Sequence, residues 1–135
     1  MSSVFETQKT IREILVKILD HHSLEQLNKI PDGFKNNLIW NIGHCIASQQ
    51  ILVYKLSGLP LQVSDELIAK YSKGTKPEAD VLQEEVNEIR DLLTKTLLQT
   101  EKDYNDNVFK NYNQYTTSMG FDLKNVKDAL DFVSY

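Results

Sequence analysis

The chain has 135 residues, 41% hydrophobic and 25% charged, with a formal net charge of −4. That length supports one domain with its own core and not two, so residues 1–135 are expected to form a single domain. Interspersed acids and bases leave no clustered basic face for nucleic acid, no apolar run reaches the ~20 residues that span a bilayer, and one cysteine, Cys45, excludes an internal disulfide or a cysteine-built zinc site.

The N-terminal MSSVFETQKT lacks the apolar stretch of a signal peptide, and a cytoplasmic, reducing location is expected. Over residues 4–22, Phe5, Gln8, Ile11, Ile14, Leu15, Ile18, Leu19 and His22 follow the i, i+3, i+4 spacing of a helix. Ser23, with Gln26 three positions on, predicts a capping box opening a short helical turn, SLEQLNKI. Pro31, Asp32 and Gly33 make a turn. The second long helix is expected over 37–57, capped by Asn36 or Asn37 and stopped by Gly58 and Pro60. A short piece over 64–71 takes Ser64 as its cap and ends by Gly74; Leu67 at the third position rules out a capping box there.

The third long helix is expected to begin near Pro77, with Glu78, Asp80, Glu84 and Glu85 suiting the positive end of its dipole. Leu82, Val86, Ile89, Leu93 and Leu97 form its apolar stripe, and it ends near 100–103. An Asn- and Tyr-rich connection follows, with one short extended stretch at 112–116. Its tyrosines lack basic neighbours and read as loop packing rather than as base-stacking residues. The last segment starts near Leu123, shows Val126, Ala129, Leu130 and Val133, and reaches Tyr135 in mid-pattern.

The fold class is therefore all-α: a four-helix bundle with no credible sheet and at least one long crossover, the second helix being the most apolar and so the central one. At 1.5 Å per residue that helix is ~30 Å long and the last only ~18 Å. Part of the groove between the other helices is then expected to lie uncovered.

His44 interrupts the apolar second helix. A buried imidazole needs a partner, and two readings stay open: a core histidine bonded to a carbonyl or hydroxyl, or a metal ligand. A metal site of catalytic type uses three protein ligands and an open position. The remaining histidines, His21 and His22, are adjacent and point about 100° apart, so at most one of them joins His44. At the C-terminal end of the first helix they suit its dipole. Cys45 reads as a small buried hydrophobe. Trp40 and Ser48, one turn either side of His44, share its face and are candidates to line a pocket around it.

The stretch IPDGFKNNLIWNIGHCIASQQILVYKLSGLP resembles the DinB-like family, the metal-binding four-helix bundles that include bacillithiol S-transferases and mycothiol-dependent isomerases. Trp40, Gly43, His44, Ser57, Gly58 and Pro60 match its pattern in order. A second stretch, TTSMGFDLKNVKDALDFVSY, is similar to the family's entry into its last helix, with Gly120, Val126, Ala129 and Leu130 in register. The resemblance implies a divalent metal, zinc or nickel among others, held by one histidine of the second helix and two from the last helix. His44 takes the first position. The family's pair follows the segment matching residues 129–135, where this sequence stops, so the expectation is a chain incomplete at its C-terminus that does not bind metal tightly.

Two functions are expected. The first is a metal-dependent thiol S-transferase or hydrolase with an incomplete site, acting on a small thiol. The second is a non-enzymatic bundle that binds a small apolar ligand or forms a homodimer across the uncovered groove.

Overall fold

The computed structural model of the chain describes residues 2–117 and 122–133. Gly120 of the second resemblance and the expected helix end at Tyr135 lie outside the described residues. Helix α1 (Ser2–His21) is followed by the short α2 (Leu24–Asn28), α3 (Leu38–Gln49), which continues through a wider π-helical stretch (Gln50–Lys55), α4 (Asp65–Tyr71), α5 (Gln83–Asn105), strands β1 (Tyr115–Thr116) and β2 (Asp122–Leu123), and α6 (Val126–Val133). Among the described residues no helix is long and apolar enough to cross a membrane.

Local chemistry sets these ends. Ser23 and Gln26 form the reciprocal capping box. Asn37 caps α3 by accepting from the Trp40 amide, and Ser64 caps α4 by accepting from Leu67. Gly58 takes a left-handed φ of 73° just past the π-helical stretch, as Asn107 does at 58° just past α5.

Three expectations about the elements need correction. Helix α5 starts at Gln83, not near Pro77. Asn28 explains the delay: its Oδ1 accepts from the Val81 amide at 2.7 Å and its Nδ2 donates to the Val81 carbonyl at 3.0 Å, which takes both backbone groups of that residue out of a helical ladder. Leu82, beyond the clamp, is 71% exposed and takes no part in the apolar stripe. A small sheet does exist: β1 and β2 pair antiparallel, Tyr115 opposite Leu123 and Thr116 opposite Asp122. Leu123 is thereby used in the ladder, and α6 begins three residues later, with Asn125 accepting from the Asp128 amide at 2.9 Å.

Helices α1 and α5 pack antiparallel, as shown by Lys9 with Glu101, Arg12 with Thr96 and Arg90 with Asp20. Helices α3 and α5 run parallel, since Gln49 bonds Thr100 and Tyr54 bonds Asp103 further along both. Joining parallel helices needs a long crossover, and residues 58–82, carrying α4, supply it. The core has two parts. One gathers Ile39, Ile42, Ile46, Val86, Ile89 and Leu93; the other gathers Phe5, Val53, Tyr54, Leu97, Leu123, Ala129 and Leu130. Ile46, Ile89, Leu93 and Leu130 are fully buried, each contributing about 1.5–3 kcal/mol.

The α1 stripe also differs from expectation. Ile11 and Ile14 are 37% and 52% exposed, whereas Arg12 is buried. The buried positions are Phe5, Gln8, Arg12 and Leu19, because α5 presents a carbonyl and a hydroxyl to Arg12.

Candidate functional site

Gly43 and His44 act as a pair. A Cβ at Gly43 would lie 2.6 Å from Cδ1 of Tyr71, so only glycine lets the α4 ring rest directly on α3. Tyr71 is anchored at its other end, where its hydroxyl donates to Glu85 of α5. Burial, with Glu85 beside it, pushes the Tyr71 phenol well above the ordinary range. The carbonyl of Tyr71, the last residue of α4, has no partner within its own helix. His44 Nδ1 meets it at 2.7 Å.

A carbonyl only accepts, so Nδ1 carries the proton and the lone pair of neutral His44 is on Nε2. Ser48 Oγ lies 3.2 Å from Nε2, at the right distance to donate to it. Trp40 stacks on the imidazole, with ring centroids 4.7 Å apart and planes 11° from parallel, and its indole N–H is fixed by Thr75 Oγ1 at 3.0 Å. Trp40 and Ser48 both flank His44 as expected, but of the two only Ser48 lines the cavity beside it. The imidazole is held in one orientation and in one tautomer.

His44, Cys45 and Ser48 open onto a cavity of about 480 Å³ between α1 and α3, which the β1 end also borders. Its volume is in the range of small-molecule sites. Ile11, Leu15, Ile51, Leu52 and Leu56 give it apolar walls, and Gln8, Arg12, Gln49, Lys73 and Thr117 add polar groups. Cys45 departs from expectation: it is exposed on the cavity wall rather than buried in the core. The surrounding protein still strips enough water from its thiol to push its pKa up, an effect that Arg12 partly opposes.

Arg12 is the residue that sequence reasoning missed. Its Nη1 donates to the Leu93 carbonyl at 2.9 Å and to Thr96 Oγ1 at 3.2 Å. Burial pushes its pKa down to about 10, and Cys45 partly opposes that shift. Thr96 begins a polar seam that runs inward from the cavity. Gln62 Nε2 donates to the Thr96 carbonyl and to Thr100 Oγ1, Gln49 donates to Thr100 Oγ1 at 2.8 Å, and Gln50 donates to Gln49 Oε1 at 2.8 Å. Gln8 Nε2, from α1, donates to the Leu130 carbonyl of α6 at 2.9 Å.

His21 and His22 do not reach this site. Their Nδ1 atoms bond back to the carbonyls of Lys17 and Ile18, and neither ring lines the cavity. Among the described residues, no group of three or more His, Cys, Asp or Glu comes together as a metal cage. At the cavity they offer a metal one imidazole nitrogen, Nε2 of His44, which Ser48 Oγ already approaches at 3.2 Å, and that does not fit a centre built from three protein ligands.

A family model for the DinB superfamily matches residues 9–135. No curated protein matches the chain.

Proposed function

The chain belongs to the DinB superfamily, and from that premise we propose that it binds a small, largely apolar molecule in the cavity between α1 and α3, with His44 as the polar anchor. One observation carries this reading: the fixed imidazole, its lone pair on Nε2, borders a 480 Å³ cavity with apolar walls. Nε2 accepts a hydrogen bond from the ligand, displacing or sharing that of Ser48. Trp40 keeps the ring from turning away.

A second reading, that of a metal-dependent thiol S-transferase or hydrolase, is favoured by the Nδ1 tether. Metal-binding histidines commonly donate their other ring N–H to a carbonyl, as His44 does to Tyr71. Its remaining ligands would come from outside the described residues. Pairing of two copies through the exposed Ile11 and Ile14 of α1 belongs to either reading, and sedimentation velocity tests it.

Titration of the protein with zinc and with nickel, and separately with an apolar fragment set, distinguishes the two readings. Fragment binding weakened by His44→Ala, with metal uptake that the substitution leaves unchanged, supports the binding module. Stoichiometric metal uptake abolished by His44→Ala supports the metal enzyme. Absence of both overturns the assignment of this cavity.

A further inference from the structure

We propose that the cavity takes an organic carboxylate with an apolar tail, its head paired with the Nε–Nη2 side of Arg12. The inference rests on the small-molecule reading above and names the class of ligand; Arg12 takes the head, and Nε2 of His44 stays with Ser48 unless the ligand carries a donor of its own.

Among the described residues, Arg12 is a buried charge without a counter-ion. It is 8% exposed, and both of its hydrogen bonds leave from Nη1 to neutral acceptors. Among the described residues no carboxylate pairs with it. Burial of an unpaired guanidinium is costly, and a charged partner removes much of that cost. Lowered to about 10, its pKa still leaves Arg12 cationic at neutral pH.

The two donors left over, Nε–H and the Nη2 amino group, form the parallel fork that fits the two oxygens of a carboxylate. The same molecule uses that fork elsewhere: Arg90 donates from Nε to Asp20 Oδ1 at 2.8 Å and from Nη2 to Oδ2 at 3.0 Å. Arg12 has the same donors in a drier place, and among the described residues no carboxylate accepts from them.

The rest of the cavity agrees in sign. Arg12 and Lys73 line it, and among the described residues no Asp or Glu does, although the chain as a whole carries a net charge of −4. Ile11, Leu15, Leu52 and Leu56 offer a tail an apolar wall. A phosphate monoester carries about −1.5 to −2 and would need the exposed Lys73 as well as Arg12 to offset it. A carboxylate matches both the single charge and the planar geometry of the fork.

The test compares octanoate, octanol, octylammonium and octyl phosphate as calorimetric titrants of the whole chain, with the rate of Cys45 alkylation as a second readout. Octanoate is expected to bind at least about tenfold more tightly than octanol, as a charge-assisted pair requires, and to slow alkylation of Cys45. Octylammonium is expected to bind weakest, and octyl phosphate no better than octanoate. Arg12→Gln should bring octanoate down to the affinity of octanol and leave octanol unchanged. Arg12→Lys, which keeps the charge but loses the fork, should fall between. If Arg12→Gln fails to fold, the wild-type comparison decides alone. Equal binding of octanoate and octanol, with Cys45 protected by both, overturns the carboxylate inference and leaves the small-molecule reading standing. Tighter binding of octyl phosphate overturns the choice of head. No binding and no protection by any probe overturns both.

Discussion

Gly43→Ala tests the idea that a glycine makes room for the residue that orients His44. The added methyl would sit 2.6, 2.8 and 2.9 Å from Cδ1, Cγ and Cε1 of Tyr71, well inside the ordinary 3.4–4 Å contact range. Tyr71 has little room to yield, being 3% exposed and tied to Glu85 through its hydroxyl. Overpacking of this kind costs about 1–3 kcal/mol, and the constraint on the ring places it at the upper end. Alanine in place of glycine inside a helix returns about 1 kcal/mol. The net expectation is a loss of about 1–2 kcal/mol, or roughly 4–8 °C in melting temperature for a chain of this size. Thermal unfolding of Gly43→Ala, Tyr71→Ala and the double variant measures it. In the Tyr71→Ala background the ring is gone, so Gly43→Ala should become stabilising by about 1 kcal/mol. A Gly43→Ala protein as stable as the wild type, or an equal penalty in both backgrounds, would refute the reasoning.

Three further outcomes are expected. Asn28→Ala removes the clamp on Val81 and leaves a buried amide and carbonyl without partners, which should cost about 3 kcal/mol in denaturant unfolding. Cys45 should react with iodoacetamide more slowly than a free thiol at pH 8, because its pKa is raised by burial, and Arg12→Gln should slow it further by removing the opposing charge. Tyr54, Tyr71 and Tyr112 all have raised folded-state values, Tyr112 at about 12, chiefly through burial. Their contribution to stability is therefore complete below the ordinary tyrosine value of 10.0 and is lost as pH rises through the folded values. Arg12 acts in the opposite sense above about 10, as one group against three. Ultraviolet titration near pH 11 should show much less tyrosinate in the native protein than in guanidinium, and superimposable curves would contradict this.

Much of the fold could be read from local chemistry. The capping box at Ser23, the caps at Asn37 and Ser64, and the stripe of Val86, Ile89, Leu93 and Leu97 depend on neighbours within a turn or two, and all hold. The α5 start did not follow from Pro77 because a side chain 53 positions away, Asn28, fixes Val81. Cys45 was misread because a helix that is apolar nearly all round does not reveal which face a cavity removes from the core. The signal for Arg12 was present in the spacing: Phe5, Gln8, Arg12, Leu15 and Leu19 recur every three or four residues, as a buried seam does. A charged residue in that seam is the informative departure. The pairing of His44 with Tyr71 spans 27 positions and depends on α4 folding back over Gly43, which periodicity cannot show.

Both functional readings depend most on the state of one imidazole. A long-range proton–nitrogen spectrum of the histidine side chains at pH 8, where imidazole is ordinarily neutral, reads it directly. His44, assigned by comparison with His44→Ala, is predicted to carry its proton on Nδ1 and to show an unprotonated Nε2, with the Nε2 resonance shifting when a cavity ligand is added. A proton on Nε2 would contradict the Tyr71 tether and, with it, the anchor on which both functional readings depend.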